Sequence, residues 1–131
     1  MRLLLDTHAA LWWLSGDAQL PAGARRAIAA AENVRLFSVA SGWEIAIKTS
    51  LGKLRLPRPV DAFLEEHLPV NRIELLAITL GDLKRVESLP FHHRDPFDRM
   101  LAAQALGRGL AIVSADPIFE SYGARRIWKA H

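Results

Sequence analysis

The stretch Leu3-Leu4-Leu5-Asp6-Thr7-His8 decides how this chain is read. Three consecutive leucines form a short, continuous apolar run, the pattern of a buried strand. The pattern then turns helical from Thr7 to Leu14, carrying Leu11, Trp12 and Leu14. Asp6 stands where one reading gives way to the other. In an open parallel α/β sheet the carboxyl ends of the strands lie along one edge, and ligand sites form there.

The same grammar recurs along the chain. Pro21 to Glu32 reads as a helix with proline at its start and alanine-rich propensity throughout. Val34 to Phe37 is a strand, and Ser38 caps a helix running to about Leu51, with Gly52 as its stop. Val60 to Leu68 is a helix, Ile73 to Ala77 a strand, and Leu80 to Glu87 a helix with apolar residues at 80, 83 and 86. Asp95-Pro96 opens a helix that ends near Gly107 and Gly109. Leu110 to Val113 is a strand, Pro117 to Ser121 a short helix, and Arg126 to Trp128 an edge strand. Strands alternating with helices predict a central parallel sheet of four to five strands between two helical layers, a three-layer α/β/α domain. No repeat, low-complexity stretch or linker interrupts it, so residues 1–131 read as one domain.

Composition narrows the class. The 131 residues suffice to bury about two thirds of the unfolded surface. With 50% apolar residues the chain is globular, and no apolar run approaches the roughly 18 residues of a membrane span. The absence of cysteine excludes disulfide scaffolds and zinc–thiolate sites and suits the cytoplasm. A net charge of +3 favours an anionic partner, although the candidate site itself is acidic.

That site is built from Asp6, Glu44, Asp98 and Asp116. Each lies at a strand-to-helix junction or on the first turns of a helix, so distant residues meet at one sheet edge. Crowded carboxylates repel one another and hold protons unless a cation lies between them. The simplest chemistry that needs them all ionised is divalent-metal binding for phosphodiester hydrolysis. Each acid also has a plainer reading. Asp6 and Asp116 are at helix starts, where aspartate is often only a cap. Ser41-Gly42-Trp43-Glu44 spells a capping box, and Glu44 with Lys48 is an i,i+4 pair. Against the capping box, Val39 and Ala40 extend an apolar stripe through Trp43, Ile47 and Leu51. That puts Ser41 inside the helix and Glu44 at the edge of the stripe, neither fully exposed nor core.

The segment His92-His93-Arg94-Asp95-Pro96-Phe97-Asp98-Arg99-Met100 is the most specific. Asp95 before Pro96 is accounted for as a helix cap. Asp98 shares a helix face with Phe97, Leu101 and Ala105, so its carboxylate needs a partner: a metal, or an arginine in a buried salt bridge. Ser114 hydrogen-bonds a water at the site or its own turn. The histidines at 8, 67, 92, 93 and 131 have no zinc-protease spacing, and neither a nucleophile elbow nor a phosphate-binding glycine loop occurs. Trp12, Trp13, Trp43 and Trp128 read as core or interface residues.

Taken together, Leu5-Asp6-Thr7-His8, Ser41 to Lys48 with Leu51-Gly52-Lys53-Leu54, His93 to Met100 and Ser114-Ala115-Asp116 resemble the PIN-domain ribonucleases. More narrowly, the set is similar to the VapC-type toxins of type II toxin–antitoxin pairs. The resemblance runs from about residue 3 to residue 128. It implies a PIN-like fold, a magnesium- or manganese-dependent endoribonuclease acting on RNA, homodimerisation with larger assemblies possible, and a cognate VapB-type antitoxin. It puts the catalytic and metal-binding acids at Asp6, Glu44, Asp98 and Asp116. Thr7 and Ser114 are candidates for positioning substrate or water, and Arg94, Arg99 or Lys48 for steadying flanking phosphates.

Other classes compete. A receiver-type phosphoacceptor needs an acidic pair after its first strand and an aspartate after its third, which Thr7-His8 and Ala77-Ile78 do not supply. A haloacid-dehalogenase-like phosphatase opens DxD, whereas position 8 is histidine. A non-catalytic binding module whose acids are helix caps remains the alternative. A partner surface is expected at Trp12 and Trp13, which point about 100° apart on one helix. Leu51, Leu54 and Leu56 continue it on a leucine–basic alternating stretch, forming a groove for an amphipathic helix or extended tail. The competing reading is that these residues close the core or a dimer interface.

Overall fold

Strand β1 (Arg2–Leu5) is the middle of a five-stranded, wholly parallel sheet in the computed structural model, which describes residues 1–129. Ala130 and His131, the last of the histidines considered above, lie outside the described residues. The leucine run is explained by this central place. Leu3 and Leu5 point into one apolar cluster with Phe37, Val113 and Ile127, while Leu4 points into the opposite one with Leu36, Ile112 and Leu101. A parallel strand covered on both faces has no solvent side, so alternation is lost and all three leucines are fully buried.

The elements follow in the expected alternation. Helix α1 (Thr7–Ser15) and α2 (Ala22–Ala29) precede β2 (Val34–Ser38), which runs directly into α3 (Val39–Ser50). Then come α4 (Val60–Val70), β3 (Ile73–Leu76), α5 (Leu80–Ser88) and α6 (Pro96–Arg108). Strand β4 (Ala111–Val113), the short α7 (Ile118–Ser121) and β5 (Arg126–Ile127) complete the described fold. The strand order is β3-β2-β1-β4-β5. The chain winds outward from β1 to β3, crosses back, and continues on the far side of β1. That reversal opens a crevice at the carboxyl ends of β1 and β4. The register pairs Leu5 with Val113, and the Asp6 N–H donates to the Val113 carbonyl at 3.1 Å, which fixes the two strand ends side by side.

The caps behave as their chemistry dictates. Ser38 accepts from the Ala40 N–H, Asp95 accepts from the N–H groups of Phe97 and Asp98, and Gly109 ends α6 in the left-handed region at φ 64°. Thr79 and Asp82 form a reciprocal capping box at the start of α5.

One expectation needs correction. The apolar stripe of α3 does not face the core: Trp43 is 61% exposed, Leu51 62%, and Val39 is exposed beside them. The inward face is instead Ala40, Ser41, Glu44 and Ile45, and Glu44 is buried rather than marginal. No loop residue separates β2 from α3, so the rotation of the helix is set by the strand that feeds it. The small Ala40 and Ser41 then let α3 approach its neighbours α1, α4 and α6.

Helix α2 meets the segment after β5 at Gly23, where an added Cβ would overlap the backbone of Trp128 and Lys129. Gly23→Ala is therefore expected to destabilise the fold by about 1–3 kcal/mol, as overpacking against rigid backbone does. Urea unfolding with an unchanged m-value would measure this.

Candidate active site

The crevice at the sheet reversal is a pocket of about 270 Å³. Asp6 and Thr7 enter it from the β1–α1 junction, Glu44 and Lys48 from α3, Asp95 and Asp98 from the start of α6, and Ala115 and Asp116 from the segment after β4. His8, Trp12 and Trp128 complete the wall, with the two indoles 6.0 Å apart. Five carboxylates thus face one lysine in a chain whose net charge is positive.

Capping and pocket placement turn out to be the same geometry. Asp6 accepts the Ala9 N–H through Oδ1 at 2.7 Å, and Asp116 accepts the Ile118 N–H through Oδ1 at 2.9 Å. In each, one oxygen closes the turn, which orients the other toward the crevice. Asp95 spends Oδ1 on two helix N–H groups. Glu44 is held from both sides. The Thr7 hydroxyl donates to Oε1 at 2.6 Å, and Lys48 reaches Oε2 at 2.8 Å. Thr7 therefore positions Glu44. Ser114 is fully buried, and its Oγ accepts the Asp116 N–H at 3.0 Å.

The electrostatics separate a structural acid from a site acid on adjacent helices. Burial raises the pKa of Asp82 on α5. The Arg108 guanidinium, gripping both carboxyl oxygens at 2.6 and 3.0 Å, outweighs it, and Asp82 falls to about 2. Asp98 on α6 meets no such partner, and His93 Nε2 is 3.4 Å away. Burial first, then the charge of Asp95, push Asp98 up to about 7, with Glu44 and Asp116 adding to the rise against His93. Asp6 is also raised, by burial above all, against the Ser114 hydroxyl and Ala9 N–H that favour its charge. The buried arginine salt bridge considered for Asp98 is not what the structure contains. Donor atoms of His93, Asp98 and Asp116 lie within 4.8 Å of one another, a spacing that fits one cation. Asp6 and Glu44 line the same pocket outside that tight group.

Arg99 is the clear error of the sequence reading. It is buried, with its guanidinium donating to the carbonyls of Val86, Leu89 and Pro90 and to the Tyr122 hydroxyl, and it stacks on Phe91 at 4.1 Å. One position along the helix from Asp98 is a turn of about 100°, enough to aim Arg99 at α5 instead of the crevice. Arg94 is exposed on the loop before α6 and does not line the pocket. Trp12, Trp13, Leu54 and Leu56 are half-buried against the core on the β1-leucine face, and Leu51 is exposed. His93 and Trp128 were missed as site residues, because neither has a spacing signature.

Residues 3–124 match the PIN domain, and the chain belongs to that family. The fold agrees, with a five-stranded parallel sheet between helical layers. Within the family it is similar to ribonuclease VapC22 of Mycobacterium tuberculosis, 27% identical over 92% of this chain and 91% of that protein. Among solved structures it superposes on a chain of the DNA-bound VapBC2 complex of Rickettsia felis with a TM-score of 0.70 at 14% identity, covering 96% and 97% of the two chains. It also superposes on a chain of the DNA-bound VapBC complex of Salmonella typhimurium, at 0.67 and 19%, covering 96% of each.

The raised acids make the metal-free protein sensitive to pH. The folded state keeps protons on Asp98 and Asp6 that the unfolded chain releases near the ordinary value of 3.8. The stability that Asp98 contributes is present below about pH 4 and is lost as pH rises through about 7, and Asp6 acts in the same direction. Urea unfolding in chelator should therefore give a lower stability at pH 8 than at pH 5, by on the order of 2 kcal/mol. Asp98→Asn should remove most of that slope.

Proposed function

We propose that this protein is a metal-dependent endoribonuclease, the toxin of a toxin–antitoxin pair, with Asp6, Glu44, Asp98 and Asp116 as the catalytic acids that hold magnesium or manganese. The observation that carries the reading is the convergence of these carboxylates in one crevice, two of them with raised pKa and, among the described residues, none of Asp6, Asp98 and Asp116 bridged to lysine or arginine. An all-oxygen, polyanionic donor set fits a hard divalent cation. When bound, such an ion would activate water and neutralise charge developing on the scissile phosphate.

The remaining roles belong to the chain itself. Thr7 fixes Glu44, and the Ser114 hydroxyl supports Asp6 and Asp116 from beneath. Lys48, with a part-exposed side chain on Glu44, supplies the positive charge nearest the pocket for a flanking phosphate. Trp12 and Trp128 give the crevice an aromatic wall against which a base can rest. RNA as the substrate is supported by the ribonuclease name of the similar mycobacterial protein.

A VapB-type antitoxin as partner is supported by the similar structures, which are VapBC complexes. The half-buried Trp12, Trp13, Leu54 and Leu56 with the exposed Leu51 supply apolar surface for it. Homodimerisation is supported by exposed Leu80 and Leu83 on α5 and Val39 and Trp43 on α3, two helices that both pack against α6. A chain without cysteine suits the reducing cytoplasm, and among the described residues no helix is long and apolar enough to cross a membrane.

Two experiments test the reading. Asp98→Asn should abolish manganese-dependent RNA cleavage in a gel assay, while Asp95→Asn, whose replacement also caps a helix, should stay within about tenfold of the parent. A dead Asp95→Asn beside an active Asp98→Asn would reverse the two assignments. Millimolar manganese should raise the melting temperature by mass action, and Asp6→Asn and Asp116→Asn should lose most of that rise. A rise retained by both variants would count against this site.

A further inference from the structure

The loop between α5 and α6 is tied down far more than a solvent loop requires. Arg99 gathers the carbonyls of Val86, Leu89 and Pro90. The Tyr122 hydroxyl accepts the His93 main-chain N–H at 3.0 Å and the Arg99 guanidinium at 3.3 Å. The His93 ring is also fixed, because the Asp95 N–H donates to its Nδ1 at 3.0 Å. A neutral imidazole that accepts at one nitrogen carries its proton on the other. The proton is therefore on Nε2, the atom 3.4 Å from Asp98 Oδ2.

This tautomer bears on the cluster of His93, Asp98 and Asp116. Their spacing would allow His93 to serve as a third ligand, but a protonated Nε2 has no lone pair to offer a cation. We infer that His93 is a positioning residue: locked by the Asp95 backbone, it turns an N–H toward one oxygen of Asp98 and leaves the other oxygen for the cation. The arginine that stands next to Asp98 in sequence serves the same end from behind, by fixing the loop that carries the histidine. The pocket thus keeps an oxygen-only donor set, and the imidazole enters only as an N–H dipole 3.4 Å from a carboxylate oxygen, an arrangement that tunes the ligand's orientation and charge. The inference rests on the proposal that Asp98 holds a divalent cation.

The test uses the full chain and titrates Mn²⁺ and Ni²⁺ calorimetrically into the parent, His93→Ala, His93→Gln and Tyr122→Phe. His93→Ala should weaken Mn²⁺ about tenfold, in the range seen when a ligand's supporting partner is removed. His93→Gln, which retains an amide N–H, should recover to within about threefold of the parent. The ratio of Ni²⁺ to Mn²⁺ affinity should be the same in parent and His93→Ala, since an imidazole ligand favours Ni²⁺ and its removal would collapse that ratio. The melting temperature without metal should stay unchanged in His93→Ala, which separates positioning from a general loss of structure. Tyr122→Phe should weaken Mn²⁺ by only about twofold. A collapsed ratio would make His93 a ligand and overturn the inference. Equal Mn²⁺ affinity in parent and His93→Ala would also overturn it, while leaving the nuclease reading intact. A parent that binds no Mn²⁺ would overturn both.

Discussion

Repulsion among carboxylates at the carboxyl edge of the sheet is the constraint around which this molecule is arranged. Left in water, Asp6, Glu44, Asp98 and Asp116 would separate. The fold forbids that, because Asp6 and Asp116 follow the neighbouring strands β1 and β4, and Glu44 and Asp98 stand on helices packed beside them. Burial above all, with the neighbouring carboxylates adding to it, raises the proton affinity of Asp98 and Asp6. Asp82, only one helix away from Asp98, shows the contrast. It is also buried, yet its arginine partner takes it in the opposite direction. Desolvation alone does not make a site; desolvation without a resident cation does.

The helix caps are part of how that stress is contained. An aspartate at a helix start has one oxygen occupied by backbone N–H groups and the field of the helix N-terminus around it. Asp6 and Asp95 have this arrangement, at α1 and α6. Capping lowers the energy of bringing negative charge to the crevice and points the second oxygen outward. The opposition between cap and pocket residue that a sequence invites is therefore false for Asp6, which caps α1 and lines the crevice at once.

The basic side chains divide in a similar way. Arg99, a site candidate from sequence, is turned away from the crevice to hold the α5–α6 loop, and Arg108 on the same helix holds Asp82. Lys48 alone of the lysines and arginines faces the pocket among the described residues, and it is engaged with Glu44. Lys48 apart, the described lysines and arginines stay out of the pocket, so a cation can enter without competing with a fixed guanidinium.

The fold was legible in the chain because the signals that specify it are local. Leu3-Leu4-Leu5 reads as a buried strand, Asp95-Pro96 as a helix start and Gly109 as a helix end, each from its own few residues. The acids of the site were legible for the same reason, since they stand at junctions that local pattern locates. Rotation about a helix axis is not local. Whether Trp43 or Glu44 faces inward, and whether Asp98 or Arg99 reaches the crevice, depends on how α3 and α6 pack against neighbours distant in sequence. An error of 100° exchanges a pocket carboxylate for a strut. His93 was invisible on the same grounds. Its tautomer is set by a backbone N–H two residues on and its loop by Arg99 and Tyr122, contacts that no spacing rule encodes and only the folded chain brings together.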